Sequence, residues 1–248
     1  MKNILITGAS SGLGLFLAKY LNDIDHSVVC IGKDKAKIKK LKSYLKEKNK
    51  KNCLSIDLNI KTNLKKLFNF LKKKKFDAII HCLGGGFGKH DPLIKKEDLE
   101  YLFNLNVGIG TAINKEVIEK KLFNDNLKLI HIGSVASLES TASVGYSVVK
   151  SSLIAYTKIL SKYLIKKNIF VHCVLPGAFE YENNSFDRLK DRNKKAYKKF
   201  IKDKLPRKKI AQPENMLGLF KLLLSNDGNM LTGSSITIDF SESNSFRL

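Results

Sequence analysis

The stretch KNILITGASSGLG, Lys2–Gly14, decides the fold. Its first half is a short apolar run, residues 2–6, that ends at Thr7-Gly8. Its second half, Thr7-Gly8-Ala9-Ser10-Ser11-Gly12-Leu13-Gly14, sets three glycines at GxxxGxG spacing. Behind them Leu13, Phe16, Leu17, Tyr20 and Leu21 recur at helical spacing. Strand, glycine loop and helix in that order have a physical use. Glycine turns without a Cβ clash and lets the backbone approach a ligand closely. The helix start offers unpaired N–H groups and a positive dipole end, which suit a pyrophosphate. The loop is not the commoner GxGxxG, and it lacks the GK[ST] ending of a nucleoside triphosphate loop. Three glycines alone are also ordinary turn chemistry. The N-terminal strand in front of them favours the nucleotide site.

The alternation continues outward from this unit. Ser27–Ile31, Cys53–Ile56, Asp77–Cys82, Leu127–Ile132, Phe170–Leu175 and Ser235–Asp239 read as strands. Between them run lysine-rich helical stretches. One spans Lys35–Lys48, with Ile38, Leu41 and Leu45 on one face, and another carries Leu64, Leu67, Phe68 and Leu71. Strand alternating with helix predicts a mainly parallel sheet with helices on both faces. Parallel strands buried on both faces read as continuous apolar runs, as these do. No repeat or Pro/Gly/Ser linker breaks the pattern, so residues 1–248 are expected to form a single domain.

Composition narrows the class. At 43% apolar and 27% charged residues the 248-residue chain is globular rather than disordered, despite a net charge of +22. No run of about 18 apolar residues suits a membrane span. The N-terminal apolar stretch is too short for a signal peptide, so a cytoplasmic protein is expected. The excess charge is nearly all lysine, and Arg occurs only at Arg188, Arg192, Arg207 and Arg247. Base and phosphate recognition favours arginine, so most of the charge is read as solvated helix faces, with no nucleic-acid partner. Cys30, Cys53, Cys82 and Cys173 lie far apart without CxxC spacing, which reads as reduced thiols and no metal site. His81, His131 and His172 are read as strand residues with satisfied hydrogen bonds.

A second motif carries chemistry. Tyr146-Ser147-Val148-Val149-Lys150 opens a long apolar-periodic helix, and i, i+4 spacing sets the phenol and ammonium on one face. Bringing a tyrosine from about 10 to about 7 takes roughly 4 kcal/mol, which a lysine and a cationic cofactor can share. Such a tyrosine can exchange a proton with a carbonyl or alcohol oxygen. Ser134 stands twelve residues upstream, just after the fifth strand. Both then face the carboxyl edge of the sheet, where open α/β folds bind ligands.

With the glycine loop, Ser134, Tyr146 and Lys150 in order, the whole chain resembles the short-chain dehydrogenase/reductase family. The resemblance implies a doubly wound, Rossmann-like, seven-stranded parallel sheet in the order 3-2-1-4-5-6-7. It implies a cofactor site at Thr7, Gly8, Ser10, Ser11, Gly12, Leu13, Gly14, Lys33, Asp57, Leu58, Gly84, Tyr146, Lys150, Pro176 and Gly177. Asn106, Ser134, Tyr146 and Lys150 match the catalytic tetrad: Tyr146 as acid or base, Ser134 orienting the reacting oxygen, Lys150 on the nicotinamide ribose and lowering the Tyr146 pKa, Asn106 holding a relay water. A homodimer or homotetramer is expected on the same ground.

Three stretches depart from the family pattern. His81-Cys82-Leu83-Gly84 replaces Asn-Asn-Ala-Gly, and the loop there is expected to be looser. Ala178-Phe179-Glu180-Tyr181 lacks the usual threonine after Pro176-Gly177. Asp239-Phe240-Ser241 replaces Asp-Gly-Gly. The second strand ends at Gly32-Lys33, where an acidic residue usually holds the ribose of NAD(H), so NADP(H) is expected ahead of NAD(H). A substrate lid is expected at about 178–212. Its three arginines, Arg188, Arg192 and Arg207, suit an anionic small-molecule substrate, sugar-type or acyl thioester. Inward packing of Phe186, Leu189, Tyr197, Phe200 and Ile201 beneath a solvated face is the plainer reading of that segment. The other functions weighed are a dinucleotide sensor or scaffold without turnover, a nucleic-acid binder, and an epimerase or dehydratase of the extended family.

Overall fold

The computed structural model describes residues 1–140 and 142–245, and Arg247 lies outside them. Within them, seven strands make one sheet: β1 (Asn3–Thr7), β2 (Ser27–Gly32), β3 (Cys53–Ser55), β4 (Phe76–His81), β5 (Phe123–Ile132), β6 (Phe170–Pro176) and β7 (Ser235–Ile238). Their order is β3-β2-β1-β4-β5-β6-β7, with every pairing parallel. This is the parallel sheet that the alternation predicts, in the doubly wound order that the family resemblance implies. The chain reverses direction across the sheet between β1 and β4, which opens a crevice at their carboxyl ends.

Period 2 in the strands sorts the core into two layers. Ile4, Ile6, Cys30, Ile80 and Val174 pack against α1 (Gly12–Asp23) and α10 (Leu217–Leu224). Leu5, Val29, Ile79, Leu129 and Val171 face the opposite layer, with α4 (Lys61–Leu71) and α6 (Ile109–Glu119). Each such side chain contributes about 1.5–3 kcal/mol by burial. α7 (Val144–Leu164) runs back from the carboxyl edge and packs on β6.

Two elements differ from the sequence reading by more than a residue at an end. The helix expected over Lys35–Lys48 breaks into α2 (Lys35–Tyr44) and α3 (Glu47–Lys50). Leu45 turns extended and buried between them, and Asn22 Oδ1 accepts from Lys46 N at 2.9 Å and Asn49 Nδ2 at 3.0 Å. A distant side chain thus supplies the bonds that end the helix. β5 begins at Phe123 rather than Leu127, because Phe123 pairs with Phe76 across a register shift. Among the described residues no helix is long and apolar enough to cross a membrane, and no group of three His, Cys, Asp or Glu could hold a metal ion.

Candidate active site

The glycine loop packs backbone against backbone. Gly8 has φ +70, and a Cβ there would lie 2.7 Å from the main chain of Cys82 and Leu83. The loop after β1 therefore touches the chain leaving β4. Ser11, at the head of α1, makes no capping bond, so the first N–H groups of the helix have no side-chain acceptor. Gly12 N–H instead donates to Glu182 O at 2.9 Å. Leu13 and Gly14 begin the helix buried, and Thr7 keeps a buried hydroxyl without a partner.

At the far end of this crevice, Gly32 has no room for a side chain. A Cβ would stand 2.8 Å from Ile38 Cδ1 and 2.9 Å from Ser10 Oγ. Lys33 Nζ pairs with Asp57 Oδ2 at 2.8 Å, and Asp57 Oδ1 accepts from Asn59 N at 3.0 Å. The Lys33 hydrogen bond holds the Asp57 carboxyl below its usual range, and the buried Leu58 lies beside it. Asp34 caps α2 by accepting from Lys37 N.

The proposed catalytic residues converge at the carboxyl ends of β4 and β5. Asn106 lies in a π turn, Asn104–Gly108, between α5 (Lys96–Phe103) and α6. Its amide donates to Leu102 O at 2.8 Å and Gly85 O at 3.0 Å, and its Oδ1 accepts from Gly85 N at 2.9 Å. The loop after β4 is thus pinned at Gly85, contrary to the looseness expected of it. The Asn106 side chain is occupied by this task. A Cβ on Gly84 would overlap Asn106 Oδ1 and lie 3.2 Å from Lys150 Nζ.

Ser134 caps a short turn, Val135–Ser137, by accepting from Ala136 N at 3.2 Å, and its hydroxyl neighbours the Tyr146 phenol. Burial raises the Tyr146 pKa, and the Ser134 hydroxyl opposes it. The lowering by Lys150 expected from the sequence is not found in the chain alone. Lys150 Nζ is drawn to Ile132 O at 2.7 Å and stands 5.6 Å from the Tyr146 ring centroid. Burial pulls Lys150 down to about 8, with Cys173 and Cys82 opposing.

Beneath this site lies a buried polar group that sequence reasoning missed. His81 Nε2 and Asn114 Oδ1 are 2.8 Å apart, Asn114 Nδ2 reaches His131 Nε2 at 3.3 Å and Tyr156 OH at 3.2 Å, and the two imidazoles stack at 4.7 Å. The expected hydrogen bonds of His81 and His131 are present. His172 has only half of its own: Nδ1 meets Leu231 O at 3.2 Å, while Nε2 is buried without a partner among the described residues.

Two segments flank the crevice. Residues 178–212 close at their base through Glu180 N to Ala211 O at 3.0 Å and carry α8 (Ser185–Arg192) and α9 (Lys194–Lys204). Phe186, Leu189, Tyr197, Phe200 and Ile201 pack inward with Leu205 and Ile210. The arginines do not act as a set. Arg188 bonds Asn183 O, Arg192 bonds Arg188 O at 3.3 Å, and Arg207 lies 3.8 Å over the Phe240 ring. The tail after β7 brings Glu242 onto Ala178 N, and a Cβ on Gly177 would lie 2.5 Å from Glu242 Oε2. Glu139 and Asp239 lie close enough to Glu242 to raise its pKa further, after burial. No spacing in the sequence announces this contact with Pro176-Gly177.

A family model described as enoyl-(acyl carrier protein) reductase matches residues 8–240. The chain belongs to the short-chain dehydrogenase/reductase family. It is an oxidoreductase of the carbonyl/alcohol type. Over 240 residues it is 26% identical to 3-oxoacyl-[acyl-carrier-protein] reductase FabG of Rickettsia felis, covering 96% of this chain and 95% of that one. It is 28% identical over 257 residues to a diacetyl reductase ((S)-acetoin forming) of Staphylococcus epidermidis, covering 96% and 97%. Among solved structures, L-sorbose reductase of Gluconobacter frateurii, complexed with NADPH and L-sorbose, superposes with a TM-score of 0.85 at 21% identity, over 99% and 97% of the two chains. A short chain dehydrogenase family protein of Francisella tularensis superposes at 0.82 with 24% identity, over 98% of each chain. The residues present fit a dinucleotide: the uncapped start of α1 suits its pyrophosphate. The buried Lys150 ammonium, facing a glycine, suits a ribose hydroxyl.

Proposed function

We propose that this short-chain dehydrogenase/reductase is an NADP(H)-preferring reductase of 3-oxoacyl-type thioesters carried on an acidic protein. The observation that carries the chemistry is the convergence of Ser134, Tyr146 and Lys150 beside Gly84, with Asn106 holding the Gly84-Gly85 loop. The bound dinucleotide supplies the hydride. Ser134 donates to the substrate carbonyl oxygen and orients it. Tyr146 gives that oxygen its proton in reduction and takes it back in oxidation. Its raised pKa keeps it protonated in the chain alone, which suits the acid role. Lys150 holds the ribose and adds a positive charge beneath the phenol.

For the cofactor, Gly32 leaves no space for an acidic side chain, and Lys33 stands at the strand end. A 2′-phosphate would meet the Lys33 ammonium there, competing for it with the Asp57 carboxylate that holds it at 2.8 Å. For the substrate, the three carboxylates Glu139, Asp239 and Glu242 disfavour an anion near Gly177. The outer face of residues 185–209 carries twelve basic against three acidic side chains. Negative charge is therefore accommodated outside the mouth, on a carrier, while a neutral acyl group enters. The name of the Rickettsia relative supports this reading.

Two measurements test it. Tyr146→Phe should lower kcat by about 10²–10⁴-fold while leaving dinucleotide binding nearly unchanged. A variant that keeps most of its rate would refute the tetrad. Lys198→Glu with Lys202→Glu should lower kcat/KM for a carrier-bound 3-oxoacyl thioester, and added salt should do the same to the parent. A short neutral thioester should be indifferent to both. Equal behaviour of the two substrates would refute the carrier reading.

A further inference from the structure

Cys30 and Cys53 stand directly opposite one another in the β2–β3 register. Both side chains lie in the same core layer, and Cys53 Sγ also reaches Asn49 O at 3.9 Å. Cys30 is fully buried, while Cys53 is half-buried on an edge strand of three residues beside β2. The neighbouring Cys30 thiol lowers the Cys53 thiol pKa, burial opposes it, and the Lys42 charge adds to the lowering. Cys173, by contrast, stands opposite His131 and Ser235.

We propose that Cys30 and Cys53 are a peroxide-oxidisable dithiol that controls binding of the adenosine end of the cofactor. The inference rests on the reading of Gly32, Lys33 and Asp57 as that end. The geometry admits the bond: neighbouring strands lie about 4.7–4.9 Å apart, and disulfides span Cα separations of about 4.4–6.8 Å. A disulfide also needs Cβ atoms about 3.5–4.5 Å apart and a Cβ–S–S–Cβ dihedral of about 90°, so closing the bond re-poses β3 against β2. The contacts that join the two strand ends lie two to four residues further on. They are Ile56 N to Gly32 O at 2.8 Å, Ser55 Oγ to Lys33 O at 3.1 Å, and Lys33 Nζ to Asp57 Oδ2 at 2.8 Å. A shift of β3 against β2 disturbs all three.

The chemistry balances with a peroxide as oxidant. The Cys53 thiolate attacks one peroxide oxygen, an S–O bond forms, the O–O bond breaks, and hydroxide leaves to take up a proton as water. Cys53 is then a sulfenic acid. The Cys30 sulfur attacks the Cys53 sulfur, the S–S bond forms, and the S–O bond breaks. The oxygen leaves as a second water with the Cys30 proton. Two thiols lose two electrons and one hydrogen peroxide becomes two waters. A dithiol reductant reverses the change.

The full chain, treated with hydrogen peroxide and digested without reductant, should yield a Cys30–Cys53 linked peptide about 2 Da lighter than the two thiols. The oxidised chain should bind NADPH at least threefold more weakly, with kcat at saturation unchanged, and dithiothreitol should restore both. Cys53→Ser should bind NADPH normally and show no response to peroxide. No linked peptide, a Cys53 that stops at sulfinic acid with Cys30 free, or a linked peptide with unaltered NADPH affinity would each overturn the proposal. The linked peptide is read by mass, so its absence is distinct from any failure of the proposed reaction.

Discussion

Replacing Gly84 by alanine should damage both the fold and the cofactor site. The residue has φ +151, a conformation that strains an L side chain by about 1–3 kcal/mol. Its new Cβ would overlap Asn106 Oδ1, and Lys150 Nζ would stand 3.2 Å away. Asn106 has little freedom to yield, because its amide serves Leu102 O and Gly85 O while its Oδ1 serves Gly85 N. Breaking one or two of these bonds costs about 1 kcal/mol each. The sum is about 2–5 kcal/mol. Carried by global unfolding, the middle of that range lowers Tm by roughly 10 °C in a chain of this size. A local loop shift instead would spare Tm and weaken NADPH binding. Calorimetry and titration of NADPH fluorescence read the two outcomes. Two controls separate the causes. Gly88→Ala, at φ +76 with nothing within 4 Å of its Cβ, meets backbone strain alone. Gly218→Ala, in α10 with nothing within 4 Å, should raise stability by about 0.4–1 kcal/mol. If Gly84→Ala leaves both Tm and NADPH affinity unchanged, the pinned loop does not support the site.

Two further outcomes follow from the same geometry. Lys33→Ala should raise the KM for NADPH far more than that for NADH, since only the former carries a 2′-phosphate; equal effects in parallel kinetics would defeat the cofactor preference. The buried His81 is pulled from its ordinary 6.5 to about 4, chiefly by burial. The unfolded chain therefore binds a proton between those values and the folded one does not, so the stability is complete above pH 6.5 and is lost as pH falls through 4. The gap corresponds to about 3 kcal/mol. His81→Asn, which retains an amide for Asn114, should make denaturant-measured stability fall less steeply over that window, leaving the shares of His131 and His172, which burial also depresses, and superimposable acid limbs would refute the assignment.

Much of the fold was legible in the residues because burial leaves a periodic mark. Strands covered on both faces, such as Phe170–Pro176, run nearly unbroken in apolar residues, here with His172 as the exception, and helices such as Val144–Leu164 repeat at 3.6. The Tyr146–Lys150 pair was legible for the same reason, since one helical turn brings the residues together without any help from tertiary structure. Element ends were harder. Asn22 ends a helix some twenty residues away, and nothing near Leu45 announces it.

The layers, the strand–helix alternation and the glycine loop can be read from the chain alone, because they depend on local period and spacing. Which distant groups meet is a matter of the folded arrangement. Asn106 grips Gly85 across 21 positions, His81 reaches Asn114 across 33, and Glu242 finds Ala178 across 64. The Cys30–Cys53 contact exists because β3 is β2's neighbour. Such meetings follow from strand order and from the close packing of side chains at the carboxyl edge, and a hydrogen bond between distant residues leaves no repeat in the chain to be read.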